Sequence, residues 1–574
     1  MTVSQDVASK IDDALKVLTS KKKEWAQLPL EKKIELLDAV RLRLDDHMLT
    51  LGRAGARMKG SDADQNLVVG EMLTSVAVPA TYIHRLAGSL RQLAAAGKVA
   101  PLPGRTTPSG QKVVQVYPLT WSDRNSLLQP GATAELYLRP EQQEVRQGLV
   151  YGPDGKVAEH DGRLCAVLGA GNHGFLALKD ALVCLYERGE VAAVKPHPAQ
   201  SEWHHAAEYA LQPLIDAGYL RNLYLDTAED TRSLLYHPLV DCVHMTGGTA
   251  THDAIVWGST PEEQARRRAA DDPVLKVPIT SELGCITPFI IPPWSYTPKQ
   301  LEAQAADLVV AMTNNVGCNC NSAKVLVLPA DWSQADAFMD CLRAALKRTP
   351  LDPAYYAGIH SRYEAFKKQY PNCEVVEAPA ITPTRPLSGP PLPYLINKLD
   401  KLPAEPHKEY AFNVEPFAPV LTVVSLPTKG VEGFLAESVR FANEDLWGTL
   451  SCMIVLHPET EAAHPEACRK AVDDLRFGVV SVNAWSAVSF VSGAVTWGAF
   501  AGDQTIKDVG SGLGVVGNPY LVDGVQKAVY RVPIDGEAVP KPPAMKPIPM
   551  AAARLIMGYV VDGWRGLIGS FWAK

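Results

Sequence analysis

Between Leu164 and Ile291 the chain repeats one pattern: short apolar segments (LCAVL, EVAAVKP, LRNLYL, VDCVHMTG and KVPITSELG) separated by stretches of helical periodicity. Parallel strands need a crossover, usually a helix, so this alternation predicts a parallel βαβ sheet. The turn after the first segment carries Gly169-Ala170-Gly171-Asn172-His173-Gly174, which spells the G-x-G-x-x-G of a dinucleotide fold. That fingerprint also needs an acidic residue about 20 positions on, to take the ribose hydroxyls. Here the second strand closes on Lys195, and Asp180 and Glu187 fall within the intervening helix. The spelling is present and its acidic partner is missing.

The rest of the chain divides by texture. From about Val7 to Leu93 it is helical, broken at Pro29, with apolar residues at helical spacing around a core. Residues 100–160 are punctuated by Pro, Gly and Thr and hold the strand-like KVVQVYPL, AELYLRP and GLVYG, which read as a small sheet or arm. A second α/β stretch runs from Pro298 to about Gly502, interrupted by the irregular, proline-rich loop of 378–395. The tail opens with a stiff linker, VPKPPAMKPIP, and continues into a segment where Ile556, Val560, Trp564, Leu567 and Phe571 share a helical face. Gly558, Gly563, Gly566 and Gly569 weaken that helix, and Arg554, Asp562 and Arg565 argue against a bilayer span. Docking on the protein's own surface is the expectation, with interfacial membrane contact as the alternative.

A chain of 574 residues can bury a substantial core, and a net charge of -7 with no basic stripe gives no reason to expect a nucleic-acid partner. The polar, helical start lacks a basic head followed by an apolar run, so a cytoplasmic protein is expected. The ten cysteines are scattered singly apart from Cys318 and Cys320, and no Cys/His spacing predicts a metal. Cys165, Cys184 and Cys242 lie in apolar runs and read as core.

The segment TNNVGCNCNSAKVLVLP, Thr313 to Pro329, is different: two cysteines stand in a polar Asn/Gly-rich loop ahead of an apolar strand. It resembles the nucleophile loop of the aldehyde dehydrogenase superfamily, N-x-G-Q-x-C, with Asn315, Gly317, Cys318 in the Gln position, Cys320 as nucleophile and Lys324 in place of the usual Arg. SELGCITP resembles E-L-G-G-x-x-P, with Glu282 as general base, Leu283 beside it and Cys285 in place of the second Gly. NVEPFAPVL resembles E-x-F-G-P-V, with Glu415 and Phe417 at the nicotinamide ribose. FANEDLWGTLSCMIV, FGVVSVNAW and GSGLG follow in the family's order, so the resemblance covers about residues 10 to 530. In this family a P-W-N-F-P loop stands 23 residues ahead of a K-P-S-E lysine, and 195 − 172 is also 23. GAGNHG is thereby reread as the oxyanion loop carrying Asn172. The cofactor is then held by Lys195 and by the helix after HMTGGTATHDAIV, which brings in Gly247 and Gly248.

The resemblance implies an aldehyde dehydrogenase-like α/β fold. Its parts are helical residues 1–129, bridging strands in 130–160 and 515–535, an NAD(P)-binding domain at 161–297, a catalytic domain at 298–514 and the tail at 536–574. It implies NAD or NADP as cofactor, an aldehyde substrate and a homodimer or homotetramer. Cys320 would add to the aldehyde, the Asn172 amide and the Cys320 backbone N–H would stabilise the alkoxide, and Glu282 would serve thioester hydrolysis. Cys318 is the close rival for nucleophile. Pro198 replaces the Glu that commonly favours NAD over NADP, which leaves cofactor choice open. Cys285, Cys318 and Cys320 together suggest a redox-sensitive cluster. Apolar loops at 378–395 and 484–498 hint at a hydrophobic aldehyde. Two other functions fit less well: an acyl-CoA or acyl-thioester reductase running the same chemistry backward, and a scaffold or binding protein whose site has drifted.

Overall fold

The computed structural model describes residues 4–126, 130–399, 401–502, 504–534 and 549–572. Helices Gln5–Gln27, Leu30–Asp46, Met48–Met58 and Gln65–Ala96 open the chain. Ser4 caps the first by accepting from the Val7 N–H, and Pro29 separates the first from the second. Asp64 accepts from the Asn66 and Leu67 N–H groups to start the long helix, and Gly97, at φ 66°, ends it in the left-handed conformation. Their buried stripes, among them Leu15, Leu37, Met72 and Leu86, pack into the largest core.

The alternating segment folds as the pattern predicts. Strands Arg163–Leu168, Glu190–Lys195, Leu220–Asn222, Cys242–Thr246 and Ile279–Glu282 form a parallel sheet, with Gly512–Leu513 added antiparallel at one edge. Chain order runs outward in both directions from Arg163–Leu168, so the sheet has a topological switch point between that strand and Cys242–Thr246. Ligands of open α/β sheets bind beyond the carboxyl ends of strands at such a point. The GAGNHG loop and the Gly247-Gly248 turn both leave the sheet there. Cys165 and Cys242 are register partners on neighbouring strands, and the Cys184 thiol lies 3.7 Å from that of Cys165 in the same core.

A second sheet of 11 strands organises the remainder. Its parallel centre comprises Val479–Val482, Ser451–Ile454, Pro288–Ile290, Val325–Pro329, Val420–Leu426 and Tyr394–Leu399. Strand Pro288–Ile290 pairs with Val325–Pro329 and Ser451–Ile454, so this sheet begins ahead of residue 298, where sequence texture placed it. The tract before Pro298 is uniformly apolar, and apolarity alone does not say which sheet a strand joins. The strands expected to bridge subunits lie inside this sheet: Val525–Arg531 runs parallel to Val479–Val482 and antiparallel to Thr133–Leu138, which pairs with Lys112–Tyr117. Their backbone groups are satisfied within one chain. GLVYG forms no strand; Tyr151 makes a single bridge to Val157.

The proline-rich loop does not reach the thiol loop by the bonds it makes. Thr384 donates its N–H to the Gly60 carbonyl, and Arg385 bonds the Met58 carbonyl, fastening the loop to the end of the third helix. The last helix, Met550–Trp572, forms despite its glycines and packs against Gln65–Ala96 and Leu30–Asp46. Its buried face is Ala553, Met557, Val560 and Val561, one step round from the expected one; Ile556 is half-buried. The side chain of Phe571 and the linker at 535–548 lie outside the described residues. Gly563, at φ 62°, interrupts the helix, and the buried Arg41 donates to the Val561 carbonyl at 2.7 Å just before that interruption.

Candidate active site

Cys320 stands in the turn between helix Pro298–Thr313 and strand Val325–Pro329, and Glu282 ends strand Ile279–Glu282 of the other sheet. The site therefore lies at the seam of the two sheets. Cys320 is half-buried beside the Glu282 carboxylate, whose Oε1 accepts from the Trp497 indole N–H at 3.3 Å. Glu282 is 4% exposed, and burial pushes its carboxyl up to about 7 against the opposing pull of the Cys320 and Trp497 side chains. Burial also drives the Cys320 thiol well above its ordinary value, with the Glu282 charge adding to it. A carboxyl that titrates near neutrality beside a thiol is placed to take that thiol's proton.

The loop that delivers the thiol is strained. Asn315, Val316 and Gly317 all have positive φ, at 55°, 58° and 71°. A β-branched residue there is an outlier that persists only where its surroundings impose it. Gly317 meets that need, since a Cβ would collide with the Ala418 backbone. The Asn315 amide bonds the Asn172 and Cys318 carbonyls, and Tyr355 OH reaches the Asn172 carbonyl at 2.9 Å and Asn315 Oδ1 at 3.0 Å. The buried Lys324 ammonium donates to the Asn319 and Cys320 carbonyls and pairs with Glu415 at 2.9 Å.

Asn172 is brought to this loop as expected, but its amide is already used. Nδ2 donates to the Cys318 carbonyl at 3.0 Å. An amide has two N–H donors, so one is committed to holding the loop. His173 Nε2 lies 2.8 Å from Asn319 Oδ1, and burial lowers its ring to about 4, consistent with a structural part. Cys318 is buried, donates to the Phe417 carbonyl at 3.4 Å, and is pushed by burial up to about 12. Cys285 is likewise buried, with its thiol on the Ser451 carbonyl at 3.9 Å. Both thiols thus have backbone partners of their own, apart from Cys320 and Glu282.

Across the crevice, Gly247 donates its N–H to the Glu282 carbonyl at 3.0 Å, and Gly248 caps helix Thr249–Trp257. A Cβ at Gly248 would meet nothing within 4 Å, so the helix start is open. Such a start, with unpaired N–H groups and a positive dipole end, suits a phosphate. Lys195 is half-buried at the end of its strand, and burial lowers its ammonium. Leu283 is buried, its N–H held by the Ser511 carbonyl at 2.9 Å. Glu415 sits against Gly284, accepts from the Cys285 N–H at 3.3 Å and pairs with Lys324. In this state its carboxylate serves the loop and not a ribose. Phe417, at φ 42°, packs against Tyr356 with ring centroids 5.3 Å apart and planes tilted by 57°.

No family model and no curated protein matches the chain in sequence. Solved structures match over nearly its whole length. A protein from Burkholderia cenocepacia named as an aldehyde dehydrogenase shares 18% identity at a TM-score of 0.61, covering 91% of each chain. The NAD-dependent aldehyde dehydrogenase from Sinorhizobium meliloti shares 15% at 0.58, over 92% of this chain and 87% of its own. Aldehyde dehydrogenase C from Pseudomonas syringae, solved with NAD+ and octanal, shares 15% at 0.58, over 92% of this chain and 90% of its own. The chain has the aldehyde dehydrogenase fold.

Within that fold, motif reading missed Trp497, Lys179 and Trp485. Trp497 holds Glu282, and its neighbour Phe490 packs on it with centroids 5.0 Å apart. Lys179 is buried, 3.7 Å from the centre of the Phe490 ring, and burial lowers its ammonium to about 8 while Asp180, Glu187 and Glu282 oppose. Trp485 donates to the Asn321 carbonyl at 3.0 Å, next to the thiol. The only sequence signal was the apolar loop 484–498; nothing in its spelling tells which tryptophan faces a carboxylate.

Proposed function

We propose that this protein oxidises an aldehyde to the carboxylic acid with NAD+ or NADP+, through Cys320. The observation that carries the reading is the placement of Cys320 beside the buried Glu282 carboxylate, itself held by the Trp497 indole, at the seam of the two sheets. Neighbours of the same fold are described with NAD+, as in the octanal complex, or with NADP, as in the glyceraldehyde-3-phosphate dehydrogenase from Bacillus halodurans. The open helix start at Gly248, the Gly247 turn and Lys195 fit such a cofactor. Bound there, the nicotinamide supplies the oxidant.

The chain's own residues do the rest. Ionised Glu282 takes the Cys320 proton, and the thiolate adds to the aldehyde carbon to give a thiohemiacetal. The alkoxide has the second Asn172 N–H and the Cys320 backbone N–H as donors, each worth about 3–4 kcal/mol in such a role. Glu282 passes the thiol's proton to solvent; once the adduct is a thioester, the ionised carboxylate removes a proton from the attacking water and returns it to the Cys320 thiolate as the acid leaves. Glu415 reaches a ribose only by exchanging its Lys324 pairing. A buried base beside the thiol favours hydrolysis over the reductase direction and gives a drifted scaffold no reason to keep it.

The test is reduced-nicotinamide formation from an aldehyde series with NAD+ and NADP+ separately. Wild type is expected to turn over and Cys320→Ser to fall by about a thousandfold or more. Equal rates in the two proteins would remove Cys320 from the mechanism, and silence of folded wild type across the series would end the dehydrogenase reading.

A further inference from the structure

A chamber of about 820 Å³ lies between the long helix Gln65–Ala96, the segment 99–103, helix Ser486–Val491 and the C-terminal helix. That is toward the upper end of the range of about 300–1,000 Å³ for small-molecule sites. Its surface is mainly apolar, with Leu73, Ala77, Val488, Val491, Ile556 and Val560 facing it. The charged groups on its wall are already used. Arg85 donates to Asp123 and Tyr520 OH, both at 3.0 Å, and to the Ser492 carbonyl at 3.1 Å. Asp123 in turn accepts from the Leu119 and Thr120 N–H groups. A charged ligand would have to displace these bonds, whereas a hydrocarbon needs none of them.

Two features join the chamber to the thiol site. Trp485 lines the chamber and donates to the Asn321 carbonyl, one residue from Cys320. The short helix after it shows Val488 and Val491 to the chamber and packs Phe490 on Trp497, which holds Glu282. The roof is the C-terminal helix, through Ile556, Tyr559, Val560 and Gly563. We propose that the chamber beneath the C-terminal helix receives the unbranched aliphatic chain of a long-chain aldehyde whose carbonyl is presented to Cys320. This rests on the dehydrogenase reading for the identity of the head group and on the chamber for the tail.

Each methylene taken from water into such a space strengthens binding by about fourfold, so KM should fall stepwise with chain length until the chamber is full. Gly88 is the position at which to fill it. It lines the chamber, lies on the long helix, and a Cβ there meets nothing within 4 Å, so Gly88→Phe adds bulk without displacing backbone. Two measurements are made on full-length protein. One is the ratio of kcat/KM for dodecanal to that for butanal. The other is binding of dansyl-undecanoic acid to Cys320→Ser, displaced by dodecanoic acid.

Wild type should prefer dodecanal, and Gly88→Phe should lower that ratio and the probe's affinity at least tenfold each. An unchanged ratio together with unchanged probe binding in Gly88→Phe overturns the chamber as the tail site. Probe binding that weakens in Gly88→Phe while no aldehyde is oxidised by wild type supports the chamber and sinks the dehydrogenase reading. Oxidation without chain-length preference, in a protein that does not bind the probe, does the reverse.

Discussion

Two regions on different faces of helix Ser486–Val491 bury charge in opposite ways. In the chamber wall, Arg85, Asp123 and Tyr520 are bonded to one another and to backbone. Burial works against the Asp123 charge, yet Arg85 and the Thr120 and Leu119 N–H groups hold its carboxyl below the ordinary range. In the thiol pocket no such closure exists for Glu282, whose carboxylate accepts from the Trp497 indole and faces the Cys320 thiol, and burial carries it up to about 7. Nearby Lys179, held over the Phe490 ring, comes down to about 8. The first arrangement fixes one shape, and the second keeps proton exchange possible near neutral pH.

The contrast is tested first with the two neighbouring cysteines. Cys320→Ser should abolish turnover, while Cys318→Ser, whose buried thiol donates to the Phe417 carbonyl, should cost less than about tenfold in kcat. Comparable losses in single-turnover assays would mean that the nucleophile has been assigned to the wrong residue. Next, Glu282→Gln should lower kcat/KM by about 10²–10⁴ and remove the acid limb that wild type shows near pH 7, because only the ionised carboxylate accepts a proton. The same variant should be the more stable protein in alkali. The folded state keeps this proton up to about pH 7 and an unfolded chain releases it near 4.5, so wild-type stability falls as pH rises through that window. Denaturant melts should therefore show a gain of about 3 kcal/mol for Glu282→Gln at pH 8 and none at pH 4.

The wall should respond in the other direction. Arg85→Met leaves Asp123 buried without its cation and should cost about 3–5 kcal/mol in a denaturant melt, with the Cys320 alkylation rate unchanged. A changed alkylation rate would show that the two regions are coupled through the helix between them. The smallest effect is at Thr120, whose hydroxyl and the Asp123 carboxylate cap one short helix reciprocally. Thr120→Ala should cost about 1 kcal/mol in the same melt.

Much of this was legible in the chain. The βαβ alternation gave the parallel sheet, and ordered motifs gave Cys320, Glu282 and Asn172, which the structure brings to one seam. The missing acidic partner at Lys195 left the GAGNHG fingerprint open, and the family's 23-residue spacing between Asn172 and Lys195 turned it into an oxyanion loop. What stayed hidden were contacts between distant segments. Glu415 is 91 residues from Lys324 by 415 − 324, and only packing shows that the two are paired. The loop 378–395 is fastened to Met58 and Gly60, contacts no local pattern announces, while 484–498 supplied both Trp497 and part of the chamber wall.

Local pattern therefore determined the element types, the sheet and the candidates for the reactive groups, because periodicity, turns and nucleophile chemistry are properties of short segments. Tertiary structure decided the protonation of Glu282, the partners of Asn172 and Glu415, the enclosure of bridging strands in one sheet and the roofing of the chamber. Those depend on what lies across space at each group, since desolvation and hydrogen-bond supply are set by neighbours that the sequence places hundreds of residues away.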